Sequence, residues 1–220
     1  MLPVGGDVFA VVGLGNPGRQ YEGTRHNIGF EVVQELDSRW GDGRWQTKGG
    51  CLYQKARVCD SNCLLLMPQQ FMNLSGEAAV PLLRFFKVSP EQTVVVFDEL
   101  DLEPGILRVR QGGSAAGHRG VKDMLTHMDS ANFYRVRVGI GHPRRFQQEG
   151  AGNAPSGKDP ENQRVSSGCA PDVSGWVLAR PGPKEKELLE KAVSEAADAV
   201  ELLTKGGLKE VQSKFHRKQV

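Results

Sequence analysis

Residues 11–30 read VVGLGNPGRQYEGTRHNIGF, and the reading of this stretch decides the fold. An apolar run, residues 8–12, leads into Gly13-x-Gly15-x-x-Gly18, the glycine spacing of a dinucleotide-binding turn. Such a turn needs a helix that opens within the glycines, so that its positive end faces a pyrophosphate. Here Pro17, Gly18 and Gly23 interrupt the segment, and helical spacing begins only with Ile28, Val32, Val33, Leu36 and Trp40. The motif also needs an acidic residue ending a second strand about 20 residues on. Glu31, Glu35 and Asp37 fall instead within the helix or at its end. The stretch is therefore a buried strand, a polar connection and a helix, with Thr24 or Asn27 available as N-cap. It argues against a nicotinamide or flavin cofactor, and so against an oxidoreductase.

Outward from that stretch, strands and helices interleave. Residues 51–58 and 63–67 read as two strands around Asp60-Ser61-Asn62. Residues 74–87 read as a helix with Val80, Leu83 and Phe86 inward; Pro81, which costs about 3 kcal/mol inside a helix, predicts a kink or a late start. Residues 93–97 are a short continuous apolar run, as in a central strand covered on both faces, and Asp98-Glu99-Leu100-Asp101 follows its end. Residues 106–111 and 134–140 alternate Leu/Val with Arg, so Arg135 and Arg137 share one strand face and Val136 and Val138 the other. A loop at 112–117 leads into a short helix over 118–128. Residues 143–172 are rich in Gly, Pro, Ser, Gln and Asn without periodicity and read as a flexible insertion. A short apolar element at 176–178, an amphipathic helix over 184–203 and a last helix over 208–218 complete the chain. The pattern predicts an α/β fold over residues 1–220, a single globular domain with a twisted mixed β-sheet flanked by helices.

Composition narrows the class. At 220 residues, about two-fifths hydrophobic and a quarter charged, the chain suits one soluble domain with a real core. No apolar run approaches the roughly 18 residues of a membrane helix, and residues 1–8 lack the basic-then-apolar pattern of a signal peptide. Four cysteines without a nearby histidine read as reduced thiols in a cytoplasmic protein, with no metal site. Net charge is only +2, but residues 104–145 carry +6 and residues 205–220 carry +4, leaving −8 for the rest. That asymmetry points to a polyanion partner, and nucleic acid is the foremost one.

The polar connection carries the chemistry. Asn16, Tyr21, Arg25, His26 and Asn27 crowd between strand and helix, and ligand sites in open α/β sheets form at the carboxyl ends of strands. Asp98 ends another strand. A histidine and an aspartate from two strand ends can meet there, the carboxylate accepting from one ring nitrogen and leaving the other basic.

Five blocks carry a resemblance: GLGNPGRQYEGTRHNIGF (13–30), PQQFMNLSGEA (68–78), FDELDLEPG (97–105), GGSAAGHRGVKDM (112–124) and RVRVGIGHP (135–143). In this order the chain resembles bacterial-type peptidyl-tRNA hydrolases over nearly all its length, apart from the insertion at 143–172. The resemblance implies hydrolysis of the ester joining a stalled peptide to the 3′ end of a tRNA, by a cytoplasmic monomer without cofactor or metal. It implies His26 as general base and Asp98 as its orienting partner. It implies Asn16 and Asn73 as amides holding the peptide end and terminal adenosine, Tyr21 and Phe71 as residues of the same cleft, and Arg110 and Arg137 as a clamp on the tRNA 5′ phosphate. His118 is a further site candidate, whereas His142 reads as structural and His127 and His216 as solvent-facing. The last helix, with Lys209, Lys214, Arg217 and Lys218, offers diffuse attraction to the tRNA backbone. Arg119, a further substrate-binding candidate able to grip a backbone phosphate, departs from the family pattern, which usually has Asn there. It raises a second reading: a catalytically weak RNA-binding protein of the same fold acting in RNA processing.

Overall fold

The strand, connection and helix expected at residues 11–30 form. In the computed structural model, which describes residues 8–144 and 172–216, β1 (Val8–Gly13) is followed by two single 3₁₀ turns, Arg19–Tyr21 and Arg25–Asn27, and then by α1 (Ile28–Trp40). The glycines serve packing. A Cβ on Gly29 would strike the backbone of Leu14 and Val96, and one on Gly15 would lie 2.7 Å from the Phe30 ring. Only glycine lets the start of α1 rest directly on strand backbone. Neither expected N-cap makes a side-chain cap bond: Thr24 Oγ1 donates to Tyr21 O, and the Asn27 amide turns back to Asn16.

The remaining elements are β2 (Gln46–Lys48), β3 (Cys51–Val58), β4 (Ser61–Pro68), α2 (Ser75–Phe85), β5 (Thr93–Glu99), β6 (Leu107–Gln111), α3 (Arg119–His127), β7 (Tyr134–Gly139), α4 (Val173–Leu178), α5 (Pro183–Thr204) and α6 (Leu208–Phe215). Among the described residues, the strands form one sheet in the order β2-β3-β4-β1-β5-β7-β6. The β1–β4, β1–β5 and β5–β7 pairs are parallel; β2–β3, β3–β4 and β6–β7 are antiparallel. The sheet is mixed, as expected, with one addition: β2, whose three exposed residues carry no apolar signal.

Helices cover both faces. Val11, Leu65, Val96, Val136 and Val138 point toward α1, α5 and α6; Val12, Leu66, Val95 and Phe97 point toward α2 and α3. All of β5 is buried, which is why residues 93–97 are continuously apolar. Pro81 produces no late start: α2 begins at Ser75 and passes through an exposed Pro81 to Phe85. The proline's cost of about 3 kcal/mol is outweighed by burying Ala79, Val80, Leu82 and Leu83, where each large side chain contributes about 1.5–3 kcal/mol.

At the far edge of the sheet, one expectation is overturned. His216 does not face solvent: its Nε2 accepts the Val109 N–H of β6 at 2.9 Å, and Gln212 Nε2 donates to Val109 O at 3.0 Å. α6 thus satisfies outward-facing backbone of an edge strand, a polar tie that hydrophobic periodicity cannot signal. His127 likewise is half-buried, its Nδ1 lying 3.0 Å from Asp123 O. His142 accepts the Arg144 N–H, in keeping with a structural role. Lys209 and Lys214 are exposed on α6, while Val211 and Phe215 are buried. Cys51, Cys59 and Cys63 are free thiols, and burial pushes those of Cys51 and Cys63 up to about 12, which suits inert packing residues. Most of the expected insertion (145–171, with Cys169), Arg217 and Lys218 lie outside the described residues.

Candidate active site

The chain leaves β1 through α1 on one face of the sheet and returns from β4 to β5 through α2 on the other. The connections part above the carboxyl ends of β1 and β5, where open sheets place ligand sites. A cleft of about 560 Å³ lies there. Asn16, Tyr21, His26, Phe71, Asn73, Asp98, His118 and Arg119 all line it. Arg110 and Arg137 do not. They share the arginine-bearing face of β6 and β7, where Arg110 is in register with Arg135 and Arg108 with Arg137.

Asp98 closes the floor. Its side chain is 2 % exposed and receives two imidazoles on one oxygen: His26 Nδ1 lies 2.7 Å and His118 Nε2 3.0 Å from Oδ1. Burial pushes this carboxyl up, but the two imidazoles outweigh burial and hold it well below the usual carboxylate range. Asp98 is therefore an acceptor, and each ring must present it an N–H.

The two rings differ in what remains. His118 N-caps α3, its Nδ1 accepting the Val121 N–H at 3.2 Å. With Nδ1 accepting and Nε2 donating, the ring is neutral, of one tautomer, and fully committed. His26 donates from Nδ1, and its Nε2 has no hydrogen-bond partner among the described residues, leaving a lone pair for the cleft. The ring centroids stand 5.2 Å apart. Ligand atoms of His26, Asp98 and His118 lie within 4.8 Å of one another, close enough for a metal trio. In this arrangement the Asp98-facing nitrogens, His26 Nδ1 and His118 Nε2, are both taken up by hydrogen bonds to Asp98 Oδ1.

Asn16 is oriented just as firmly. Its Oδ1 accepts the Met72 N–H at 2.8 Å, its N–H donates to Asn27 Oδ1 at 2.8 Å, and its C=O accepts from Asn27 Nδ2 at 2.9 Å. With Oδ1 committed, the Asn16 amide offers the cleft its Nδ2 donors. Asn73 is exposed in the 3₁₀ turn Met72–Leu74, and the Tyr21 ring meets the exposed Phe71 edge-on at 6.3 Å, forming an aromatic rim.

Several participants escape a reading of the sequence. Glu99 lines the cleft and accepts from both Nε and Nη2 of Arg137, at 2.8 and 2.6 Å, so the charge of this expected clamp residue is paired by its neighbour strand. Arg135, beside it, is buried on backbone oxygens of Gly113 and Ser114 and braces the loop that leads to His118. The opposite wall is α4, through Val173, Ser174, Val177 and Leu178. It is held by Arg25, which stacks 3.7 Å over Trp176, bonds Trp176 O and Ala179 O, and pairs with Glu185 at 2.6 Å. The adjacency of Glu99 to Asp98 was a signal in the sequence, and the short apolar element at 176–178 marked α4, but nothing in the sequence placed it against the cleft.

Comparison with known proteins settles the family. The profile of the family described as peptidyl-tRNA hydrolase matches residues 10–152. A peptidyl-tRNA hydrolase of Cupriavidus pinatubonensis is 37% identical over 211 residues, 94% of this chain and 96% of its own length. The chain belongs to the peptidyl-tRNA hydrolase family. Its fold agrees: the crystal structure of a peptidyl-tRNA hydrolase from Acinetobacter baumannii superposes with a TM-score of 0.77 at 31% identity, covering 96% of each chain. A single-residue variant of that peptidyl-tRNA hydrolase gives a TM-score of 0.79 at 31% identity, covering 97% of this chain and 96% of its own. The protein is accordingly a hydrolase of the peptidyl-tRNA hydrolase fold, an α/β fold built on one mixed sheet. No helix among the described residues is long and apolar enough to cross a membrane.

Proposed function

We propose that this enzyme hydrolyses the ester between peptide and tRNA in peptidyl-tRNA, with His26 as general base and Asp98 as its orienting partner. The observation that carries the mechanism is the unequal commitment of the two imidazoles on Asp98: His118 has no free nitrogen, whereas His26 keeps Nε2. His26 Nε2 takes a proton from water, and the resulting hydroxide attacks the ester carbonyl. An ester is already an activated acyl group, so no covalent nucleophile is required. A positioned base contributes roughly 10²- to 10⁴-fold. Charge gathers on the carbonyl oxygen as the tetrahedral intermediate forms. The Asn16 Nδ2 donors, held by Met72, suit that oxygen, and one such donor contributes roughly 10²- to 10³-fold. The imidazolium then returns its proton to the departing ribose oxygen, while Asp98, ionised throughout, stabilises the charged ring.

Asn73, Tyr21 and Phe71 would hold the terminal adenosine and peptide end. Arg110 and Arg137 would bind the tRNA 5′ phosphate across the acceptor stem, with Glu99 fixing the fork of Arg137. It would act as a monomer in the cytoplasm, where its substrate arises. Ester cleavage of a purified peptidyl-tRNA tests the reading. Wild type turns over without added cofactor, and His26→Asn binds tRNA but does not cleave. Binding without cleavage by the wild type would leave an RNA-binding protein of this fold; cleavage retained in His26→Asn would remove the base.

A further inference from the structure

Arg119 is not absorbed by the chemistry above. It opens α3, lines the cleft and is exposed, and its guanidinium has no hydrogen-bond or ion-pair partner among the described residues. The acidic groups lining that cleft are occupied: Asp98 by two imidazoles and Glu99 by Arg137. Arg119 is thus the one permanent cation among the described cleft-lining residues. It also breaks a local rule. The first turn of α3 holds no acidic residue, and a cation at a helix N-terminus costs about 0.3–1 kcal/mol. A residue that violates local preference with no compensating contact in the free protein points to a contact made in the complex.

We propose that Arg119 binds the phosphate nearest the scissile ester, the 5′ phosphate of the terminal nucleoside, and so makes this enzyme prefer esters carrying that phosphate. This rests on the peptidyl-tRNA reading and adds a specificity determinant to it. Guanidinium only donates, and its fork matches phosphate oxygens two at a time. Its place is fixed by His118, the preceding residue, whose ring lies 5.2 Å from that of His26. A phosphate held there belongs to the nucleoside undergoing cleavage and not to the distant 5′ end, which the arginine face of β6 and β7 serves.

The test compares two small esters, an N-acetyl-aminoacyl ester of adenosine and the same ester of adenosine 5′-phosphate. Wild type prefers the phosphorylated ester in kcat/KM by about tenfold, the effect of one charge-assisted contact. In Arg119→Met the preference collapses toward one, and Arg119→Lys retains part of it. A wild-type ratio near one, or a ratio unchanged in Arg119→Met, overturns the inference. Cleavage of a purified peptidyl-tRNA but of neither small ester also overturns the inference, whereas failure of wild type on all three substrates would instead bring down the hydrolase reading, with His26→Asn as the inactive reference.

Discussion

Two imidazoles reach one carboxylate from two walls of a cleft, and they do different work. His118, from the loop before α3, is tied at both nitrogens, to Val121 N–H and to Asp98. His26, from the connection between β1 and α1, is tied at one. The lesson is that a base is recognised by what its second nitrogen lacks. Burial, ring type and partner are nearly shared between the two; the free lone pair is not. In the proposed mechanism His118 has a positioning role, since it shares with His26 the single buried oxygen of Asp98.

The comparison can be broken at three levels. Removing the lone pair has the largest effect: His26→Asn should lower kcat roughly 10²- to 10⁴-fold, with tRNA affinity nearly retained. Asp98→Asn comes next, at about 10²-fold in kcat: the amide oxygen can still accept from both rings, but it carries no charge to stabilise the imidazolium that forms on His26. His118→Asn is milder: about tenfold in kcat, with stability lowered by about 1–3 kcal/mol as a buried carboxylate loses a partner. The readout that separates positioning from mere folding is the split between turnover and binding: His118→Asn should lower kcat while tRNA affinity is kept, which loss of folded protein alone would not do. If His118→Asn instead equals His26→Asn in rate loss, the assignment of the two rings is wrong.

A third imidazole sharpens the same contrast. Burial, then Arg108 and Arg110, lower the pKa of His216 below its ordinary 6.5, and its Nε2 must stay unprotonated to accept Val109 N–H. The stability it gives is present above pH 6.5 and is lost as pH falls below that value toward the lowered one. Thermal denaturation of wild type should weaken over that range, and His216→Ala should lose about 1 kcal/mol at neutral pH while flattening the dependence.

Much of this was legible in the sequence, for physical reasons. Continuous apolar residues 93–97 announced a central strand, and the interrupted glycines of 13–18 argued against a dinucleotide site before Gly15 and Gly29 were seen to serve close packing. The apolar runs placed Asp98 at a strand end and His26 in the connection after another strand, and the resemblance supplied the roles of the two. The partners that complete the site were hidden because they depend on tertiary register: His118 on Asp98, Met72 N–H on Asn16, Glu99 on Arg137 across β5 and β7, and Arg25 on a helix more than 150 residues away. Polar contacts of that kind leave no periodic trace. The same holds for His216, whose partner is backbone, and for β2, which has no apolar face to reveal it.

The tie between α6 and Val109 has a bearing on how the edge of the sheet is covered. With Gln212 and His216 answering the outward amide and carbonyl at the middle of β6, one rim of the sheet gives a stray strand little to pair with, and the other rim is only the three-residue β2. A chain cut just before Leu208 would uncover a five-residue template bearing Leu107 and Val109, inviting self-assembly by strand addition. The last helix thus covers the edge at which such pairing would begin.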